Sequence, residues 1–188
     1  MTAAPRFFTA EDLWQMPTDQ PWELWDGELR VVPGAGGEAS SIAGTIGTLV
    51  LLFVRPRGLG LVTAADGTYI LARDPDTVLV PDAAFVRWDR LPNRTAPKGY
   101  SPVAPDLAVE VRSPLDRPKD IVAKLEHYRR ARMPLVWWVD PACRTVAVYR
   151  DGQFIAALGE GDELDGGDVL PGLRFPVAEI FAWPSPTG

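Results

Sequence analysis

Apolar residues recur along this chain at two periods, and each switch between them marks an element. Residues 9–16, TAEDLWQM, predict a short helix, with Thr9 as cap ahead of Glu11 and Asp12, which suit the positive end of a helix dipole. PWELWDGELRVVPG predicts two strands around an Asp26-Gly27 turn. Residues 38–54 predict a buried helix with Ile42, Ile46, Leu49, Val50 and Phe53 on one stripe and Ser40 or Ser41 as cap. Gly44 and Gly47 each cost this helix about 1 kcal/mol in propensity, which close packing on a neighbour would offset. From Leu59 the period shortens. LGLVTA, GTYILA and TVLVPDAAFVRW read as strands, broken at Ala65-Asp66-Gly67 and Asp74-Pro75-Asp76. A basic, proline-bearing loop over 87–104 leads to a strand at 105–112. A helix over 117–131 follows, with Pro118 at its start and Ile121, Leu125, Tyr128 and Arg132 in one stripe. His127 points away from that stripe, toward solvent. PLVWWVD and TVAVYR form a strand pair across Pro141 to Arg144, with Trp137 and Trp138 on opposite faces. The tail from Asp151 is acidic and glycine-rich and ends in LPGLRFPVAEIF. This order of elements predicts a single α/β (α+β) domain with a mixed sheet.

The chain has 188 residues, 46% of them hydrophobic, 23% charged and 10% aromatic, the profile of a packed globular protein. Its one cysteine, Cys143, excludes an internal disulfide and argues against a cysteine-based metal cluster. The apolar run Ile42 to Val54 spans 13 residues, short for a bilayer. The N-terminal MTAAPRFFTAED lacks the pattern of a signal peptide. The expectation is a soluble, cytoplasmic protein with no membrane partner. Net charge is −6, which argues against a simple nucleic-acid coating role. Residues 87–132 nevertheless hold 11 Lys and Arg against 6 Asp and Glu, a net of +5, so the remainder carries −11. Such an imbalance can steer an anionic partner to one face.

Three charged residues stand out. Asp82 sits within VLVPDAAFV and Glu110 within DLAVEVR, where desolvating a carboxylate costs several kcal/mol unless it is paired or binds a cation. Strand alternation groups Asp106, Ala108, Glu110 and Arg112 on one face, opposite Leu107, Val109 and Val111. If Asp82 and Glu110 lie on neighbouring strands, they form a hard-oxygen site suited to magnesium or manganese. The alternative is a wet sheet edge with Glu110 paired to Arg112. Lys124 is one of only three lysines against sixteen arginines. It lies about 60° from Ile121 and about 100° from Leu125 on the helix wheel, so it borders the buried stripe and could reach over the sheet. The alternative is a surface pair with Asp120. Cys143 has no histidine nearby in sequence, and EGDELDGGD at 160–168 lacks an EF-hand pattern.

The ordered series PWELWDGEL (21–29), VPDAAFV (80–86), APDLAVEVRSP (104–114), DIVAKLEHYRRARMP (120–134) and LVWWVDPACRTVAVYR (135–150), with the terminal GEGDEL and LPGLRFPVAEIF, covers nearly the whole chain. It resembles the Uma-type restriction-endonuclease-like proteins of the PD-(D/E)xK nuclease superfamily. The resemblance implies a restriction-endonuclease-like mixed central sheet flanked by helices. It also implies a metal-dependent endonuclease that hydrolyses DNA, with RNA as the alternative substrate. Asp82 and Glu110 become ligands of Mg2+ or Mn2+, and the backbone carbonyl of Val111 completes the protein's share. Arg112 stands where the motif's lysine would be, and Lys124 on the helix is the matching residue. Glu23 matches the family's additional acid and would hold a second metal or a water. Two departures stand against this pattern: Glu38 replaces a histidine common at the start of the second helix, and Arg112 replaces a small or apolar residue. They keep open a non-catalytic domain that binds nucleic acid or protein. A hydrolase using Glu23 and Glu110 as a general acid/base pair is a further alternative. A homo-oligomer is expected by analogy with nucleases that pair two sites, and Gly44 and Gly47 would permit close helix contact.

Overall fold

A computed structural model describes residues 7–17, 21–32 and 34–182. Helix α1 (Ala10–Trp14) carries the expected Thr9 cap, as a full capping box with Asp12. Strands β1 (Trp22–Trp25) and β2 (Glu28–Val31) form the expected hairpin. Asp26 and Gly27 both have positive φ, 52° and 79°, as the twist of such a two-residue turn requires. With β4 (Tyr69–Ala72) and β5 (Thr77–Leu79) they make a four-stranded sheet of order β2-β1-β5-β4.

The central sheet has six strands. They are β3 (Gly60–Thr63), β6 (Ala83–Arg87), β7 (Leu107–Val111), β8 (Leu135–Asp140), β9 (Thr145–Arg150) and β10 (Gln153–Leu158), in the order β10-β9-β8-β7-β6-β3. It is mixed, as expected. The β7–β8 pair is parallel and the other pairs antiparallel. Parallel neighbours need a crossover, and helix α3 (Pro118–Arg130) provides it.

Helix α2 (Gly37–Val54) lays Ile42, Ile46, Val50 and Val54 on one face of the central sheet, against Val109, Val111 and Trp137. Tyr128 of α3 packs on the opposite face with Ala108, Val136 and Leu79. The small sheet therefore closes over α3. A final hairpin of β11 (Glu163–Asp165) and β12 (Arg174–Pro176), followed by α4 (Val177–Ile180), completes the α2 side.

Several expectations are corrected. TVLVPDAAFVRW is two strands in two sheets. Pro81 lacks the N–H that a ladder position needs, and the chain crosses from β5 to β6 at Val80-Pro81-Asp82. The cap of α2 is Gly36, with no side-chain hydrogen bond, so neither Ser40 nor Ser41 caps it. Gly47 lies 3.6 Å, measured from an ideal Cβ, from the Cβ of Ala83, so its close neighbour is the chain's own sheet. The 21 residues Gly37–Arg57 are long and apolar enough to span a bilayer, beyond what the 13-residue run suggested. Here they place one stripe in the core. The glycine-rich tail forms three strands that its composition hid.

Candidate active site

The break at Pro81 puts Asp82 at the seam between the sheets. Strand β6 pairs with β7 through Ala83↔Val109, Ala84↔Ala108 and Phe85↔Leu107. Asp82 follows just beyond the end of this ladder, next to the Glu110 position, and both carboxylates line one cleft, with the Asp82 charge acting on Glu110. One step beyond Glu110, Val111 faces Pro81. In β7 the even-numbered backbone groups turn toward β8, as Arg112 N donating to Val139 O shows. Those of Val111 therefore turn toward β6. Pro81 has no N–H to give, so the ladder holds no donor for the carbonyl of Val111. The N–H of Val111 donates instead to Asp82 Oδ2 at 2.7 Å. Asp82 Oδ1 takes no hydrogen bond among the described residues and is not sealed in the interior; it opens to a cleft of ≈ 340 Å³.

Helix α3 brings Lys124 onto this spot. Its ammonium bridges two carboxylates, 2.8 Å from Glu110 Oε1 and 2.9 Å from Glu23 Oε1. The surface pair with Asp120 is not formed, because Asp120 accepts from Arg117 at 2.6 Å. One turn on, the Tyr128 hydroxyl donates to Glu110 Oε1. Glu23 comes from β1 and is held by Val80 N at 2.9 Å and Trp25 Nε1 at 2.8 Å, besides Lys124. A hairpin, a strand and a helix distant in sequence thus converge on one lysine.

Burial sets the electrostatics. It pushes the Glu110 carboxyl up to about 8 against the pull of Lys124, with Asp82 and Glu23 adding repulsion. Burial also raises Asp82, opposed by the Val111 N–H and by Lys124. Burial alone would favour a neutral Lys124, but Glu110 and Glu23 outweigh it and hold the ammonium protonated above its usual range. The Tyr128 hydroxyl is likewise driven up, by burial first and then by Glu110.

A divalent ion fits this donor set. Asp82, Glu110 and the Val111 carbonyl offer hard oxygens, and Asp82 Oδ1 has no protein donor among the described residues. Among the described residues no three Asp, Glu, His or Cys side chains gather as a metal-ligand group, which leaves the Val111 carbonyl as a candidate for a third protein oxygen. Both carboxylates are engaged: Glu110 accepts from Lys124 and Tyr128, and Glu23 accepts from Lys124 and also from a backbone N–H and an indole, two rigid donors that an ion would have to displace. Arg112 does not pair with Glu110. Its guanidinium lies 2.6 Å from Asp140 Oδ2.

Asp116 and Asp120 also line the cleft and were not singled out by the sequence. Asp116 follows the β7 strand closely and adds to the charge that raises Asp82. Tyr128 was legible as a buried helix position, though not as a donor to Glu110. Trp137 packs in the core and Trp138 lines the cleft, on opposite faces as expected. His127 is buried, not exposed as expected. The small sheet covers it, with Trp25 edge-on at 5.3 Å and Arg130 Nη2 2.7 Å from Nδ1. The basic stretch 87–132 is largely neutralised. Arg90 pairs with Asp106, Arg129 with Glu126 and Arg130 with Asp26.

A crystal structure described as "a putative nuclease belonging to DUF820", from Anabaena variabilis, shares this fold. Its TM-score is 0.78 at 20% identity, and the match covers 94% of this chain and 98% of that one. No curated protein matches the sequence. The sequence profile of the Uma2 family, described as "Putative restriction endonuclease", matches residues 10–178. With the fold and the Asp82–Glu110–Lys124 constellation in place, this match over most of its length makes the chain a member of the Uma2 family.

Proposed function

We propose that the chain is a divalent-metal-dependent endonuclease that hydrolyses phosphodiester bonds of DNA. The observation that carries this reading is the placement of Asp82 next to Glu110, with the Val111 carbonyl left without a ladder donor beside them. The description of the family and that of the Anabaena variabilis protein support it.

Mg2+ or Mn2+ held by Asp82, Glu110 and the Val111 carbonyl would supply Lewis acidity and a water of lowered pKa. The protein's own residues do the rest. Lys124 stays protonated between its two carboxylates, so it serves as a charge stabiliser for the phosphoryl oxygens and not as a base. Tyr128 fixes the rotamer of Glu110 from behind. Glu23 aims Lys124 and is a positioning residue. Water adds across the P–O bond, and its proton leaves to solvent or to the departing oxygen. A cytoplasmic location and a homo-oligomer that supplies paired centres belong to the same proposal, and sedimentation velocity reads the latter.

One observation favours a second reading. Lys124 and Tyr128 hold Glu110 in place without any ion, as a nucleic-acid- or protein-binding domain that no longer cuts would require. Supercoiled plasmid separates the two readings. Wild type should nick it with Mg2+ or Mn2+ and leave it intact in EDTA, and Asp82→Ala, Glu110→Ala and Lys124→Ala should each abolish nicking. Wild type that nicks no better than these variants leaves only the binding domain.

A further inference from the structure

The cleft is lined by carboxylates and also by Trp25, Val31, Leu115, Ile121 and Trp138. Leu115, in the loop before α3, is 72% exposed, and Val31, on the hairpin, is 51% exposed. Large apolar side chains left in water at the mouth of a charged site add nothing to folding. Trp138 is the β8 partner of Glu110, and its indole N–H makes no hydrogen bond among the described residues. The Arg30 guanidinium sits over the Trp25 ring, 5.4 Å from its centroid.

Each cation of the cleft sits beside a carboxylate of the chain. Arg30 pairs with Glu28 at 3.0 Å, Arg117 with Asp120 at 2.6 Å, and Lys124 with Glu23 and Glu110. Glu23, Asp82, Glu110, Asp116 and Asp120 line the same space. A duplex gripped by its two backbones needs rows of free Lys and Arg to replace counterions. An unpaired strand, unlike a duplex, also offers its base faces, which stack on aromatic side chains and Arg planes. The cleft offers both.

We propose that this site takes single-stranded nucleic acid, laying an unstacked base against the Trp25–Arg30 pair between the exposed Val31 and Leu115 while the adjoining phosphate reaches the ion that Asp82 and Glu110 would hold. The inference rests on the nuclease reading and narrows its substrate to unpaired stretches, such as single strands, gaps and flaps. One centre per strand suffices for such a substrate.

Fluorescence anisotropy tests it with the full chain and a labelled oligonucleotide. The oligonucleotide is presented as a single strand, as a blunt duplex, and as a duplex with a short unpaired gap. Ca2+ takes the place of the catalytic ion because its loose coordination supports binding. The single strand and the gapped duplex should bind about tenfold more tightly than the blunt duplex, a difference of one or two stacked bases. Leu115→Asp and Arg30→Ala should each erase most of that preference with unchanged melting temperature, since neither side chain lies in the core. A blunt duplex bound as tightly as the single strand, or variants that keep the full preference, overturns the inference. Cleavage with Mn2+ is read separately. A chain that prefers single strands and cuts nothing ends the nuclease reading and keeps this one. A chain that cuts blunt duplex as fast as single strand does the reverse.

Discussion

The carboxylate of Asp82 takes the N–H of Val111 at 2.7 Å, at the ladder position where Pro81 can neither donate nor leave room for ordinary pairing. One proline thus leaves an Asp82 oxygen and the Val111 carbonyl without ladder partners at the same end of β7. Pro81→Ala restores the missing donor, which can close on the Val111 carbonyl. The gain of a hydrogen bond, about 1 kcal/mol, nearly offsets the entropy that proline removes from the unfolded chain, about 0.4–1 kcal/mol. Thermal melting should therefore barely move, while Mn2+ affinity by calorimetry should fall about tenfold, the scale of losing a supporting contact at a metal. A tenfold loss absent from the titration would show that the carbonyl is not a ligand.

The metal-free protein should lose stability as pH rises. Glu110 has a folded-state pKa pushed up to about 8 from 4.5, chiefly by burial. Between those values the folded state holds a proton that the unfolded chain has released, so the slope of stability against pH is negative there. The contribution is complete below about 4.5 and gone above about 8. Glu110→Gln should flatten the melting-temperature profile across that window. Metal binding needs the ionised carboxylate, so Mn2+ affinity should climb about one decade per pH unit up to about 8, with proton uptake by buffer visible in the calorimetric heats. A flat affinity profile would contradict the buried protonated carboxyl.

Arg112→Ala should change neither metal affinity nor nicking. Its partner is Asp140, and the two side chains are 40% and 21% exposed. Such a pair contributes no more than about 1 kcal/mol, and salt screens it further. A variant that gains metal affinity would mean that Arg112 reaches Glu110 in solution.

Strand and helix periods made most of this architecture legible. The Asp26-Gly27 hairpin, β7, α3 and the β8–β9 pair lie where apolar spacing places them. The gathering of Asp82, Glu110 and Lys124 was legible too, because the two acids interrupt strands that would otherwise be apolar and Lys124 borders a helix stripe. What escaped depends on contacts between distant segments. His127 is polar and off the stripe of its own helix, so nothing local announces that Trp25 and the hairpin will cover it. VLVPDAAFV looks continuous in hydrophobicity, and only the register of two sheets shows that Pro81 divides it. The tail strands β10–β12 alternate weakly and carry many glycines, which reads as loop until the α2 side of the core claims Leu164, Leu173 and Phe175.

Glu23 separates a one-metal from a two-metal centre. Its oxygens already accept from Lys124, Val80 N and Trp25 Nε1 at 2.8–2.9 Å, so binding an ion would cost it those bonds. Mn2+ should therefore titrate with one ion per chain. Glu23→Gln keeps the shape but replaces one acceptor with a donor facing Lys124 or the indole, and it frees the ammonium from one of its two anchors. Folding should weaken by about 1–3 kcal/mol, the scale of a buried group left unsatisfied. Metal affinity should change less than in Asp82→Asn, while turnover with plasmid falls more than substrate or ion affinity, because the mispositioned group is the charge stabiliser. If two ions bind wild type and one binds Glu23→Gln, the carboxylate is a ligand after all and its hydrogen bonds rearrange on loading.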